Sequence, residues 1–226
     1  QNETQIEEAC RDLASQRIIG FDTETRPSFK AGVTNKVSLL QLSTQERCYL
    51  IRLNRVKLHS AILKILSNPN IIKIGADVAG DIRSLHVLRN FKERGFLDLQ
   101  KIVSAWGIEE KSLRKMSAIV LGERVSKAQR LSNWEANQLT PQQQIYAATD
   151  AWVCIKILEG LQRVKPIVDK ELTIISVTGQ IAQKPKMAKK LPNTPIAESA
   201  IDKPKARGRR WIRKPSKKRE ANTAKQ

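Results

Sequence analysis

The chain has 226 residues, of which 40% are hydrophobic, and it carries a formal net charge of +19. This length suffices for one domain of ordinary size with a tail, and no apolar run approaches the roughly 20 residues that cross a bilayer, so we expect no membrane partner. Three cysteines without paired spacing argue against a disulfide framework and a zinc knuckle. They predict a reducing compartment, the cytoplasm or, in a eukaryotic host, the nucleus, and the polar N-terminus predicts no secretory leader.

The positive charge is concentrated towards the C-terminus. Residues 184–226 hold 15 Lys and Arg against three acids, whereas residues 1–183 hold 26 against 19. The later segment is rich in Pro, Lys and Arg and too poor in apolar side chains for a core, which predicts disorder. We therefore expect a folded domain at 1–183 and a basic, disordered tail at 184–226. The charge indicates a polyanionic partner, above all nucleic acid, and the alternative is a charge that serves only solubility or non-specific adhesion.

The folded part alternates between predicted strands and helices. In chain order these are a helix over 1–16, strands over 17–23, 36–43 and 47–51, a helix over 56–66, a strand over 71–74, a helix over 78–88 and a strand over 96–99. Helical spacing continues from Leu99, with breaks expected at Gly107 and Gly122. This order predicts an α/β domain in which a mixed sheet has helices on its faces.

The last helix of the domain has the clearest start signal. Thr140 is suited to the N-cap, Pro141 to the first helical position, and Gln143 to completing a capping box. The pattern predicts that this helix runs to about Gly160.

Two acidic residues stand close together at the first predicted strand. Asp22 and Glu24 are two residues apart, and residues i and i+2 of a strand face the same side of a sheet. Two carboxylates side by side among apolar residues cost free energy unless a cation neutralises them. The pair is typical of a metal site, but surface strands often carry the same spacing, so the pair alone leaves both interpretations open.

Further candidates come later in the chain. Asp81 lies near the start of a predicted helix, where the helix dipole favours an anion with or without a metal, and Asp77 is a rival for the same role. Tyr146 and Asp150 are i and i+4 on the last helix, hence neighbours on one face. A tyrosine at helical spacing also commonly packs in a core, so neither feature decides by itself.

The combination and order of these residues resemble one protein family. An Asp-x-Glu pair on a strand, one acid at a strand-to-helix junction and Tyr-x-x-x-Asp on a late helix are similar to the DEDDy 3′–5′ exonucleases. That family includes the RNase D proteins, the proofreading domain of bacterial DNA polymerase I and the Werner-type exonuclease domains. The similarity covers roughly residues 5–162 and does not extend to the tail. The segments that carry it are 21–24, 37–42, 75–81, 131–135 and 144–151.

The resemblance implies an RNase H-like fold and two Mg²⁺ or Mn²⁺ ions. Asp22 would bridge both ions, and Glu24 and Asp150 would hold the ion that activates water. Asp81 would act mainly through the water shell of the other ion, since Mg²⁺ keeps several of its waters. Tyr146 would orient the attacking water, because a phenol with a pKa of about 10 is a poor base at pH 7.

We therefore predict a hydrolase, a metal-dependent 3′–5′ exonuclease that cleaves DNA or RNA at the 3′ end by a two-metal-ion mechanism. Lys127 and Arg130 precede the last helix and are candidates for contacts to phosphates, the alternative being that they are ordinary solvated cations. Trp134 is expected in the core, and His59 and His86 as ordinary helix residues. The alternative is a non-catalytic nucleic-acid-binding or ribosome-associated protein on an exonuclease-like fold. No residue decides between DNA and RNA, because none is marked as a contact to the 2′ position.

Overall fold

A computed structural model describes residues 3–178, and the tail predicted for 184–226 lies outside them. None of the helices in the described part is long and apolar enough to cross a membrane. The elements are α1 (Glu3–Ala14), β1 (Ile18–Thr25), β2 (Val37–Ser43), β3 (Cys48–Arg52), α2 (Ser60–Leu66), β4 (Ile72–Gly75), α3 (Val78–His86), β5 (Phe96–Asp98), α4 (Leu99–Ile102), a 3₁₀ helix (Val103–Trp106), α5 (Leu113–Leu121), α6 (Pro141–Val164) and α7 (Asp169–Thr178).

The strands form one mixed sheet in the order β3-β2-β1-β4-β5. β1 is the central strand, antiparallel to β2 and parallel to β4. β3 continues the antiparallel part beyond β2, and β5 pairs in parallel with β4. The chain reaches the parallel strands β4 and β5 through α2 and α3, because parallel neighbours need a crossover connection. The mixed sheet flanked by helices that the sequence predicts is therefore confirmed.

Apolar clusters cover both faces of the sheet. On one face, α1, α2 and α3 pack against β1 and β2, with Ile19 and Phe21 wholly buried. On the other face, α4, α5, α7 and the long helix α6 pack against β4 and β5. A smaller cluster beside α6 contains Leu39, Trp134 and Tyr146, so the prediction that Trp134 lies in the core is confirmed.

Some of the predicted element limits were wrong. The helix expected over 56–66 begins only at Ser60, because the His59 side chain accepts a hydrogen bond from the Ala61 N–H and acts as the N-cap. His59 is thus a cap rather than a helix residue, whereas His86 does lie in α3. β1 extends to Thr25 instead of ending at residue 23, since its pairing with β2 continues.

The helices of the second half follow the sequence signals closely, except that α6 is longer than predicted and α7 was not predicted. Gly107 and Gly122 end the 3₁₀ helix and α5 in left-handed conformations, at φ of 75° and 79°. The capping box of α6 is present, but α6 continues past Gly160 to Val164. Gly160 is a packing residue, because a Cβ there would lie 2.6 Å from a methyl carbon of Val120 on α5. The second exception is α7, which the sequence did not predict.

Candidate active site

The acidic pair lies on the part of β1 that extends beyond its parallel neighbour. β4 pairs with β1 only over Ile18–Gly20, whereas β2 pairs with β1 through Glu24 and beyond. Asp22 and Glu24 therefore share one face of a strand that is supported by β2 on one side and open on the other. The open side allows side chains from other elements to approach these carboxylates.

A glycine brings α6 onto the same face. A Cβ at Gly20 would lie only 2.0 Å from the backbone oxygen of Ala151, so no other residue fits there without moving the helix. Gly20 and Asp22 are i and i+2 on β1, and Ala151 directly follows Asp150. The contact therefore holds Asp150 beside Asp22. The signal in the sequence for this contact is the glycine itself, because a glycine inside a strand often marks a close approach of another backbone.

Three of the predicted acids come together in this way. Asp22, Glu24 and Asp150 each offer one carboxylate oxygen, and these oxygens lie within 4.8 Å of one another. Glu24 and Asp150 are only 9% and 8% exposed. Oxygen atoms from several carboxylates are the ligands that Mg²⁺ and Mn²⁺ prefer. The chemistry and spacing of this donor set fit a divalent cation.

The fourth predicted acid approaches from α3. Asp81 Oδ1 accepts a hydrogen bond of 2.6 Å from Thr23 Oγ1. Thr23 alternates with Asp22 and Glu24 along β1 and so faces the opposite side of the strand, which places Asp81 next to the three-acid cluster but outside it. Thr23 was missed by sequence analysis, because a threonine in a strand ordinarily needs no functional explanation.

Asp77, the rival of Asp81, has a different environment. It precedes α3 in the left-handed conformation, with φ of 63°, and its N–H donates to Asp98 Oδ1 at 3.2 Å. Its carboxylate lies near the Gly80 backbone, where a Cβ would meet it at 3.1 Å. Asp22 is repelled by the carboxylate of Asp81 rather than that of Asp77. Asp81 is thus the better placed of the two to act at the cluster.

The cluster is electrostatically unfavourable without a cation. Burial, together with repulsion by Asp81, Asp150 and Glu24, raises the pKa of Asp22 well above its usual range. Burial and repulsion by Asp150 and Asp81 raise the pKa of Glu24 to about 8. Burial also raises the pKa of Asp150 to about 6, against the effect of a hydrogen bond from Tyr146. A bound divalent cation would reverse these shifts by favouring the ionised carboxylates.

Tyr146 lies at the edge of the cluster. Its hydroxyl donates a hydrogen bond to Asp150, and its ring packs 6.0 Å from that of Trp134, centroid to centroid. Burial and the nearby carboxylates of Asp150 and Glu24 raise the pKa of the phenol above its ordinary value. The hydroxyl therefore stays protonated at neutral pH and can donate a hydrogen bond but cannot serve as a base.

Asp22, Glu24 and Asp150 line a cleft of about 350 Å³ together with three cationic side chains. Two of these cations are Lys127 and Arg130, which the sequence predicted as candidate phosphate contacts. The third is Arg114 on α5, which the sequence did not predict. The Arg114 guanidinium donates to the backbone oxygen of Val125 at 3.3 Å and so supports the loop that carries the other two cations. Arg114 precedes Lys127 by 13 residues and Arg130 by 16 in the sequence, so no local pattern marks it.

The family is established by similarity to known proteins. The family model described as 3'-5' exonuclease matches residues 1–165. This chain belongs to the 3′–5′ exonuclease family. Its exonuclease domain is 33% identical over 163 residues to the bifunctional 3'-5' exonuclease/ATP-dependent helicase WRN of Mus musculus, a match that covers 69% of this chain and 12% of the mouse protein.

A second relative is the human exonuclease mut-7 homolog, which is 28% identical over 181 residues. That match covers 67% of this chain and 20% of the human protein. The chain thus spans no more than a fifth of the length of these two curated relatives.

Solved structures support the same fold. The Aedes aegypti Nibbler EXO domain superposes with a TM-score of 0.68 at 23% identity, over 76% of this chain and 92% of that domain. Escherichia coli RNase D, described as an exoribonuclease involved in structured RNA processing, superposes with a TM-score of 0.65 at 20% identity, over 79% of this chain and 49% of RNase D. The exonuclease domain therefore has the RNase H-like fold that the sequence resemblance implied.

Proposed function

We propose that this protein is a metal-dependent nuclease that removes nucleotides from the 3′ end of DNA or RNA. The observation that carries the proposal is the set of three carboxylates whose oxygens lie within 4.8 Å of one another, those of Glu24 and Asp150 buried and that of Asp22 half-buried. A cluster of that kind is costly to bury unless a cation compensates it. Membership of the 3′–5′ exonuclease family supports the direction of attack.

The position of each residue relative to the acidic cluster suggests its role. Asp22, Glu24 and Asp150 would hold the cations, two Mg²⁺ or Mn²⁺ in our proposal, and Asp81 would act from outside the cluster through bound water. Divalent cations at such a site supply a more acidic attacking water and stabilise the charge on the leaving oxygen. The Tyr146 hydroxyl would donate a hydrogen bond that orients the attacking water, since its raised pKa keeps it protonated.

The cations of the cleft would hold the substrate strand. Arg114, Lys127 and Arg130 line the same cleft as the acids, where they can contact phosphate oxygens without choosing a sequence. A larger groove of about 640 Å³ begins at Tyr146 and Asp150 and continues along α6. We propose that the strand leaves the cleft along this groove, because the two cavities share those residues.

We also propose a role for the basic segment 184–226 and a cellular compartment for the protein. Residues 184–226 carry 15 Lys and Arg, which would bind phosphates without sequence preference. A protein without residues 184–226 should therefore show a weaker salt dependence of substrate affinity, with kcat on a short saturating substrate unchanged. Three free thiols favour a reducing compartment such as the cytoplasm.

The main test uses single-stranded DNA and RNA oligonucleotides labelled at the 5′ end. We expect a ladder of shortened labelled products with Mg²⁺ or Mn²⁺ and none with excess EDTA. Asp22→Ala should lower the rate at least about 1,000-fold, because it removes a central ligand of the cations. The matched control is Glu8→Ala, which removes an exposed acid from α1, far from the cleft.

Two results would contradict the proposal. One is degradation that persists in EDTA or that begins at the 5′ end. The other is a rate for Asp22→Ala close to that of Glu8→Ala. Tight oligonucleotide binding with no hydrolysis under any metal condition would favour the alternative, a non-catalytic nucleic-acid-binding protein. The ratio of the DNA and RNA rates measures the substrate preference directly.

A further inference from the structure

A buried glutamine beside the acidic cluster carries a side-chain amide that is unpaired in the described structure. Gln41 lies in the middle of β2, a strand whose residues are all buried, and its own side chain is 0% exposed. Among residues 3–178, neither its amide nitrogen nor its amide oxygen has a hydrogen-bond partner. Burying an unpaired amide costs free energy, whereas a leucine would fit a strand interior without that cost. Folding alone therefore does not explain a glutamine at this position.

The sheet register places Gln41 beside the first metal-binding acid. Gln41 is the cross-strand partner of Asp22 on β1 and of Leu50 on β3. Directly paired residues of antiparallel strands project from the same face, with Cβ atoms about 4.5–5.5 Å apart. A long side chain reaches across that distance. Asp22 is the cross-strand partner with a hydrogen-bond acceptor in its side chain, and Leu50 offers none.

The other strand pairs of this face show how specific the placement is. Glu24 is opposite Leu39, and Gly20 is opposite Ser43, whose hydroxyl is already engaged with the Thr44 backbone oxygen at 2.7 Å. Gln41 is therefore the side chain on this part of β2 that retains N–H groups to donate. A carboxylate that binds a cation through one oxygen is commonly held by a hydrogen bond to the other.

We propose that Gln41 is a positioning residue: when a divalent cation is bound, its amide nitrogen donates a hydrogen bond to the Asp22 carboxylate and holds that carboxylate in the orientation that binds the cation. The inference rests on the proposed function, since it assigns a partner to a ligand of that same site. Gln41 does not touch the substrate. Gln41 would act only through Asp22. The buried amide is then explained by its role in positioning a ligand of the site, not by a contribution to folding.

The test compares Gln41→Leu and Gln41→Met with a control, Leu42→Met, in the full chain. Leu42 is the next residue of β2 but belongs to the apolar cluster on the opposite face of the sheet. Mn²⁺ affinity is measured by calorimetric titration, and thermal unfolding is measured in EDTA and with Mn²⁺. We expect both Gln41 variants to bind Mn²⁺ about 10–100-fold more weakly, the usual effect of losing a hydrogen-bond partner of a ligand.

The same variants should unfold in EDTA at the wild-type temperature or above it, because they no longer bury an unpaired amide. Nuclease activity should recover as Mn²⁺ is raised, with Leu42→Met equal to wild type throughout. If wild type binds Mn²⁺ and the Gln41 variants bind it within twofold, the inference is overturned while the proposed function stands. If the variants lose stability in EDTA but keep Mn²⁺ affinity, Gln41 is structural and the inference also fails. If wild type binds no Mn²⁺, the proposed function fails first.

Discussion

The two faces of β1 differ sharply although they belong to one strand. On the face towards α1, α2 and α3, Ile19 and Phe21 are wholly buried in an apolar cluster. On the face towards α6, the strand instead carries Gly20, Asp22 and Glu24. The first face stabilises the fold through apolar burial. The second face lacks that stabilisation, because Asp22 and Glu24 bring like charges together and Gly20 has no side chain to pack.

The difference shows where stability and function were separated. Successive side chains of a strand point to opposite faces of the sheet, so one short segment can supply core residues to one face and ligands to the other. Thr23 is the exception, since it lies on the core-facing side yet its hydroxyl bonds Asp81. The following experiments alter the two faces in turn.

The largest effect is expected from filling the space at Gly20. Gly20→Ala places a Cβ 2.0 Å from the Ala151 backbone oxygen, so α6 must shift and carry Asp150 with it. We expect the nuclease rate to fall about 100-fold or more, as for an ångström-scale misplacement of a catalytic group, and stability to fall by about 1–3 kcal/mol. The rate is measured on an oligonucleotide, and stability by urea unfolding.

Gly160→Ala is the matched control, because it also adds one methyl group to a close contact of α6. There the neighbour is a side-chain methyl of Val120, at 2.6 Å, which can rotate away. The control should retain most of the activity. Equal losses for the two variants would show that the contact at Gly20 does not set the position of Asp150.

The next effect tests a hydroxyl group at the edge of the charged face. Tyr146→Phe keeps the ring beside Trp134 and removes the group that donates to Asp150. We expect kcat to fall about 100-fold, as for the loss of a positioned proton-transfer or orienting group, with unfolding temperature unchanged. An unaltered kcat would reduce Tyr146 to a packing role in the cluster with Trp134.

A smaller effect is expected from the opposite side of the strand. Thr23→Val keeps the shape of the side chain but removes the donor to Asp81, a hydrogen bond to a charged group of the kind that contributes about 1.5–3 kcal/mol. The rate should fall about tenfold, whereas Thr23→Ser, which keeps the hydroxyl, should stay near wild type. A full rate for Thr23→Val would mean that Asp81 needs no support from β1.

The smallest effect is a pH dependence of stability. Without metal, the raised pKa values of Glu24, about 8, and Asp150, about 6, mean that the folded state holds more protons than the unfolded chain above about pH 4. Stability is then highest below the unfolded pKa values and is lost as pH rises through the folded ones. In EDTA, the unfolding temperature should therefore decrease between about pH 4.5 and 7, by roughly 2–4 °C for each kcal/mol lost.

The expected decrease in stability is limited to pH values below about 7 because of Lys73. Burial lowers the pKa of Lys73 to about 7, so its deprotonation in the folded state raises stability at higher pH. Saturating Mg²⁺ should flatten or reverse the decline, since it favours the ionised carboxylates. Glu24→Gln removes one of the titrating groups and should reduce the slope in EDTA. A stability that rises with pH in EDTA would contradict the raised pKa values.

The sequence by itself predicted most of the elements and the acids of the candidate site. The capping box of α6 was predictable from Thr140, Pro141 and Gln143 because those interactions are local. The pairing of Asp22 with Glu24 and of Tyr146 with Asp150 followed from the periods of a strand and a helix, which any chain obeys. The order of these residues along the chain was enough to predict the family and its fold.

The tertiary structure alone decided what brings these pairs together. The close contact of Gly20 with Ala151 and the hydrogen bond from Thr23 to Asp81 join segments far apart in sequence. The hydrogen bond from Arg114 supports the cationic loop from the helix that precedes it. Gln41 likewise becomes notable only when the strand register sets it opposite Asp22. Local periodicity specifies which face a side chain occupies, but a contact across the sheet depends on register and close packing, which arise only when the whole domain folds.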